Sequence, residues 1–461
     1  MANQSEMDFC ELHLSGEAFQ QRYGRMKKLA TVTLGCKVNQ YETQALIELF
    51  EQEGYETVSA DEPTDVFMIN TCTVTSMSDR KSRQMIRRAR KLNPQAVVAV
   101  TGCYAQLSPD KIQQIEGVQV VAGTNNRHQL VDAVQAVRPD QESPILLVKP
   151  HETGEVFESL SVNTTREMTR AYVKIQDGCN QFCSYCIIPY ARGAIRSRPQ
   201  DEAVNEVKRL VAKGFQEVVL TGIHLASYGK EWQQPLALIS LMESLDSISG
   251  LKRLRLGSLE PTLMQKDVVE RIMTLNTLCH HFHLSLQSGC DKTLKAMNRR
   301  YTTEDYREAV ENIRRRAPQA AITTDVIVGF PGETEEDFQH SIDFVQEIGF
   351  ADVHVFRYSP REGTPAARYR EQLSESVKNR RSDRLIQAVA FMKHQYLMKF
   401  YHQKVEVLVE QKCQANPAWM EGHTSHYIKV LIPHDAALLH RLVTVEIRHV
   451  ESACCRGIPV A

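Results

Sequence analysis

The chain has no excess of charge of either sign: 55 lysines and arginines face 56 aspartates and glutamates, for a formal net charge of −1. No global field therefore draws it to a polyanion, and any anionic partner must be met by local basic patches. Long apolar runs are missing too, and none approaches the length of a membrane-crossing helix. The opening segment, MANQSEMDFCELHLSGEAF, lacks the basic start and apolar stretch of a secretory signal. These absences set the expectation of a cytoplasmic protein with no membrane partner. Disulfides are then not the expected use of its 12 cysteines, because clustered thiols in a reducing compartment bind metal or do chemistry.

What is present is an ordinary globular composition, 42% apolar and 24% charged. At 461 residues, two or three domains are expected. Residues 1–26 read as a polar extension. From 27 to 138, β-branched apolar runs alternate with amphipathic stretches: "LATVTLGCKVNQ", "DVFMINTCTVT" and "AVVAVTGCYAQ" are separated by helical text. That punctuation predicts an α/β domain with a doubly wound parallel sheet. Residues 139–168 are irregular and read as a linker. Over 169–398 a second βα series offers six strands, "AYVKIQ", "EVVLTG", "RLRLGS", "HFHLSLQ", "AITTDVIVGF" and "DVHVFRYS", enough for an open (βα)6 barrel. From 399 to 461, short strands such as "KVEVLVE", "HYIKVLIP" and "LVTVEIRHV" predict a small all-β barrel.

Two trios of cysteines stand out. Cys36, Cys72 and Cys103 each follow a predicted strand, in "TVTLGC", "FMINTC" and "VAVTGC". Parallel strands end on one edge of their sheet, where doubly wound folds build their sites, so the three thiols can converge there. The alternative is three buried structural cysteines. Cys179, Cys183 and Cys186 lie in "DGCNQFCSYC", after the first strand of the barrel series and at its C-terminal mouth. Zinc would need a fourth ligand, and no nearby histidine or cysteine supplies one. Iron–sulfur clusters are commonly held by four thiolates, so three leave one iron open to a non-protein ligand.

CxxxCxxC after the first strand of a six-fold βα barrel resembles the radical S-adenosylmethionine superfamily. The other trio, in "GCKVNQYET", "NTCTVT" and "TGCYAQ", resembles the methylthiotransferases of that superfamily, and "GHTSHYIKV" resembles the TRAM module that ends them. The "LGCKVNQYE" form resembles the branch acting on threonylcarbamoyladenosine in tRNA. The resemblance implies two 4Fe–4S clusters, one on Cys179, Cys183 and Cys186 and one on Cys36, Cys72 and Cys103, with S-adenosylmethionine as cofactor. It implies that the first cleaves S-adenosylmethionine to a radical, that the second carries the sulfur, and that Tyr185 lies beside the adenine of the cofactor. The implied reaction is radical methylthiolation of carbon 2 of N6-threonylcarbamoyladenosine at position 37 of tRNA, in the anticodon stem-loop. An electron donor and a sulfur source would be further partners. Replacing an unactivated C–H bond is beyond any side-chain acid or base, so a cofactor must supply that step.

Thr221 and Gly222 in "TGIHLASYG", Ser285 and Gln287 in "SLQSG", and Asp325 in "TTDVIVGFPGET" sit at later strand ends and are candidates to line the cofactor pocket. Thr334 is expected to cap a helix, with Asp337 in capping-box position. RNA contacts are expected from Arg87 and Arg88 in "DRKSRQMIRRARK", from Arg192, Arg196 and Arg198 in "YARGAIRSRP", and from Lys429 with Lys404, His423, His426 and Tyr427 in the terminal barrel. The isolated Cys10, Cys279, Cys290 and Cys413 and the adjacent Cys454 and Cys455 read as packing or surface thiols. Other readings keep the chemistry but act on another tRNA adenosine or a ribosomal-protein side chain, or make the chain a non-catalytic iron–sulfur scaffold. Anaerobically reconstituted protein is expected to hold about eight irons per chain; a reproducible value of about four by iron assay would leave only one trio as a cluster site.

Overall fold

The computed structural model describes residues 9–163 and 169–460. Residues 1–8, 164–168 and 461, and the side chain of Cys10, lie outside the described set.

The first sheet has six parallel strands in the spatial order second, first, third, fourth, fifth, sixth. Strands Val66–Thr71 and Val97–Gly102 are buried at every position, which is why their text reads as unbroken apolar runs. Helices cover both faces, among them Lys37–Gln52 and Ser76–Leu92. Thr75 caps the latter by accepting a hydrogen bond from the Ser78 amide. Its buried side, Ser82, Ile86 and Ala89, faces the sheet, while Arg80, Arg87 and Arg88 are exposed.

Two boundary expectations need correction. Part of the polar extension is folded: Gly16–Tyr23 is a helix capped by Ser15, and Leu12 and Phe19 are fully buried. The segment read as a linker adds strand Ile145–Leu147 to the edge of the first sheet. Further along, Leu160 and Val162 pack on Tyr41 and Ala45. In both places a few apolar residues among many polar ones are too sparse to show a period.

The barrel series forms as expected. Strands Arg170–Asp177, Glu217–Gly222 and Arg253–Leu256 run parallel in one sheet, and Ser258–Leu259, His281–Leu284, Ala321–Val328 and Asp352–Arg357 in the next. Residues 253–259 take part in both sheets, so the two make one curved, open wall of six βα units. The helix Glu335–Ile348 starts with the expected capping box, Thr334 and Asp337 exchanging side-chain-to-backbone hydrogen bonds.

Helix Glu375–Met398 then leads to a closed five-stranded barrel over 404–459. Tyr396, Leu397 and Phe400 at the helix end share the apolar core of that barrel. Two buried arginines of the larger barrel hold the small one. Arg253 donates to the carbonyls of Glu406 and His423 at 2.8 and 3.0 Å, and Arg255 to those of Thr424 and Ser425 at 3.0 and 2.9 Å. Glu217 neutralises both, meeting Arg255 at 2.7 Å and Arg253 at 3.5 Å, and their charges hold its carboxyl below the usual range. Removing Arg255 takes from buried Glu217 its nearest charge partner and leaves the Thr424 and Ser425 carbonyls without their donor. Arg255→Met is therefore expected to destabilise the protein by about 3–5 kcal/mol, measured by denaturant unfolding; a loss below about 1 kcal/mol would show that the clamp does not hold the barrels together.

Candidate functional site

The three strands that precede Cys36, Cys72 and Cys103 are neighbours in the first sheet. Thr33 pairs with Asn70 and Thr71 with Gly102, so their ends are level. The strand order reverses between the first and third strands, where doubly wound sheets open a crevice. Gly35 shapes the entry: its φ is +110°, and a Cβ there would come within 2.9 Å of the Cys72 Cβ and 3.1 Å of its sulfur. The thiols are close enough to repel one another as anions. Burial, with Cys36 and Cys72 nearby, pushes Cys103 up to about 12, and burial with Cys36 raises Cys72.

The second trio is held in the loop after strand Arg170–Asp177. Gly178 has φ +70°, and a Cβ would strike the Ala194 carbonyl oxygen at 1.8 Å, so only glycine fits. Burial and neighbouring thiols push Cys179 up to about 11 and Cys186 up to about 12. Cys36 is exposed and Cys186 half-buried, the other four thiols are buried, and Cys72, Cys103, Cys179 and Cys186 are poorly placed to ionise in a bare protein. A cationic metal reverses that balance, since a coordinating thiol is deprotonated outright. Both donor sets therefore fit an iron–sulfur cluster held by three thiolates.

Each trio also carries one buried guanidinium: Arg299, which the sequence reading missed, and Arg192, which it had assigned to RNA. Arg299 donates to the Cys183 sulfur at 3.2 Å and meets Glu260 at 3.3 Å; Glu260 in turn faces His224 at 3.2 Å. Arg192 donates through Nε to the Cys103 sulfur at 3.2 Å. Its other nitrogens reach Asn39 and Glu42 at 2.8 Å and Asp177 at 3.1 Å. Asp177 ends the strand before the loop that bears Cys179 and accepts a hydrogen bond from the Gly178 amide at 2.8 Å, so Arg192 ties one trio to the other. Arg127 and Lys174 join the same buried set on Glu42. Their charges hold the Glu42 and Asp177 carboxyls well below the usual range against the cost of burial.

This overturns one expectation about RNA contact. Arg192, Arg196 and Arg198 are 0%, 6% and 1% exposed and already hold carboxylates: Arg196 meets Glu155 at 3.2 Å and Arg198 meets Glu206 at 2.9 Å. They build the junction between domains and are not displayed to a phosphate. Lys429 is half-exposed and paired with Glu421. Arg87 is exposed, and Arg88, also exposed, meets Asp61 at 2.8 Å. Lys404 is exposed at the start of its strand. Two exposed aromatic side chains went unnoticed in the sequence: Phe182, inside the second trio's loop, and Tyr190, with ring centroids 5.9 Å apart.

A cavity of about 720 Å³ connects the three domains, lined by Cys36 and Lys37, by Thr221, Gly222 and Asp325, and by His423, His426 and Tyr427. Thr221, Gly222 and Asp325 thus share a cavity with Cys36 as lining residues. Ser285 and Gln287 do not line it: the Gln287 backbone instead bonds to both sides of the strand bearing Asp325, at 2.8 and 2.9 Å. Tyr185 packs against the cluster of Met297, Phe330, Tyr358 and Ala366. His283, Asp325 and His354 converge, with ligand atoms within 4.8 Å of one another. Tyr427, expected to meet RNA, turns inward and stacks between His281 and His423 at 4.9 and 4.8 Å. Cys279, Cys290, Cys413, Cys454 and Cys455 are buried, as packing thiols would be.

Comparisons agree with this geometry. The radical SAM superfamily matches residues 173–345, and an uncharacterized protein family, UPF0004, matches residues 28–123. The chain is 41% identical to the threonylcarbamoyladenosine tRNA methylthiotransferase MtaB of Bacillus subtilis over 92% of this chain and 94% of that protein. It is 36% identical to the tRNA-2-methylthio-N(6)-dimethylallyladenosine synthase of Pelotomaculum thermopropionicum over 94% of this chain and 98% of that protein. Among solved structures, the radical S-adenosylmethionine methyltransferase TsrM of Kitasatospora setae shares the fold, with a TM-score of 0.56 and 16% identity over 74% of this chain and 77% of that one.

Arg192→Met is expected to leave Glu42 and Asp177 to Arg127 and Lys174 alone and, with Asn39 and Cys103 losing their donor, to lower unfolding stability by about 1–3 kcal/mol. Unchanged stability in denaturant titrations would mean that the remaining cations, Arg127 and Lys174, suffice for both carboxylates.

Proposed function

This chain belongs to the radical S-adenosylmethionine methylthiotransferases, and from that membership we propose that it converts N6-threonylcarbamoyladenosine at position 37 of tRNA to its 2-methylthio form. The observation that supports this most is the pair of three-thiol sites on either side of one buried junction. When bound, two 4Fe–4S clusters and S-adenosylmethionine supply the one-electron and group-transfer chemistry that side chains lack.

The protein supplies position and exclusion of water. Cys179, Cys183 and Cys186 hold one cluster at the barrel mouth, with Tyr185, Thr221, Gly222 and Asp325 set toward the cofactor. Cys36, Cys72 and Cys103 hold the other. Arg192 and Glu42 fix the relation of the two sheets through their 2.8 Å contact. The cavity beside Cys36 takes the target base, which must leave its stack to reach it. Arg87 and Arg88 on the exposed face of Ser76–Leu92 meet the backbone of the anticodon stem-loop, and Phe182 and Tyr190 offer stacking surfaces. The electron donor and sulfur source dock elsewhere, in the cytoplasm.

Mass spectrometry of tRNA nucleosides from cells with and without the protein tests the reading. Deletion is expected to abolish 2-methylthio-threonylcarbamoyladenosine and let its unthiolated precursor accumulate. Persistence of the thiolated nucleoside, with loss of 2-methylthio-dimethylallyladenosine instead, would assign the chain to the other substrate.

A further inference from the structure

Lys37 follows Cys36 directly and opens the helix Lys37–Gln52, so its place is tied to that of the thiol. Its side chain is half-buried in the wall of the cavity that Cys36 also lines. Of the lysines there, Lys393 meets Asp352 at 2.7 Å and Lys429 is paired with Glu421. Among the described residues, Lys37 has no carboxylate partner; its ammonium lies 5.9 Å from the centroid of the Tyr427 ring. Arg170 and Arg255 lie 5.1 and 4.9 Å from the same ring centroid, each engaged with a glutamate. Burial holds His426 down to about 4 and His281 well below its ordinary value, so both are neutral at pH 7. Lys37 is thus the cation this wall presents without an acidic partner.

An ammonium withdrawn from water without a partner is costly, and an anion placed before it offsets that cost. A base brought to the Cys36 site carries its N6 substituent into the same cavity. In threonylcarbamoyladenosine that substituent ends in a carboxylate. We infer that Lys37 is a carboxylate-binding subsite that holds the acid group of the substrate nucleoside. The inference rests on the proposed function and deepens it: the cation beside the first trio separates an acidic N6 substituent from a neutral one.

The test is a binding comparison on holoprotein with both clusters reconstituted, at fixed salt and equal iron content. The probes are an anticodon stem-loop RNA carrying threonylcarbamoyladenosine, the same RNA with plain adenosine, and the same RNA with the threonyl carboxylate as its methyl ester. Wild-type protein is expected to favour the acid-bearing RNA about tenfold or more over both others, the size of a charge-assisted hydrogen bond. Lys37→Met is expected to lose that preference while binding the plain RNA as before, and Lys37→Arg to keep it. The methyl ester gives the same contrast on unaltered protein, so the inference stands or falls even where a variant loses iron. A Lys37→Met protein that keeps the preference, or that binds all three RNAs equally more weakly as a phosphate contact would, overturns the subsite. Wild-type protein that makes the 2-methylthio product yet binds all three RNAs alike overturns the subsite alone. Wild-type protein that makes no product from the acid-bearing RNA overturns the functional reading, and the subsite with it.

Discussion

Arg192 is the constraint on which the rest of this molecule depends. Its guanidinium is wholly buried, and such a charge persists only if every donor finds an acceptor. It finds them on both sides of the domain junction: Asn39, Glu42 and Cys103 belong to the first domain, Asp177 to the barrel. The planar fork of arginine reaches several acceptors in one geometry, which a lysine could not do. Fixing the guanidinium thus fixes two sheets whose cores are otherwise separate. A second strut stands on the other side of the first trio, where Arg361 from the barrel meets Asp79 at 2.8 Å. Chemistry shared between two trios needs that rigidity, since loosely joined domains would let the distance between them drift.

The division of labour follows from the two sheets. Each presents the C-terminal ends of parallel strands, the edge where such folds place their ligands, and the two edges meet across the junction. The first trio could not be built on one local loop, since Cys36, Cys72 and Cys103 come from three neighbouring strands, whereas the second sits in the single loop after Arg170–Asp177. The small barrel closes the remaining side, with His423, His426 and Tyr427 completing the cavity wall.

Much of this was legible in the text. The six barrel strands, the first sheet and the terminal barrel were each written as short apolar runs with clear punctuation, and the cysteine trios were placed by their strand ends. The cavity residues Thr221, Gly222 and Asp325 followed from the same rule. What the text did not carry was which charged residues face inward. "YARGAIRSRP" looks like a solvated basic segment because an arginine reads the same whether it meets a phosphate or a glutamate 150 positions away. Arg299 was hidden for the same reason, its partners Cys183 and Glu260 being remote in sequence. Ser285 and Gln287, also at strand ends, are not among the residues lining the cavity beside Cys36, and the left-handed backbone at Gln287 spends its hydrogen bonds on the neighbouring strand.

The arginine clamp between the barrels grips carbonyl oxygens at Glu406, His423, Thr424 and Ser425. Main-chain oxygens are common to every amino acid, so what the clamp demands is the trace of the turn, including the left-handed conformation of Tyr427 at φ +63°. Side-chain identity at Ser425 is left free to drift. Substitutions along the turn that keep this trace therefore leave the grip of the two arginines on it intact, while Glu406, whose carboxylate meets Arg253 at 3.0 Å, is held to its identity.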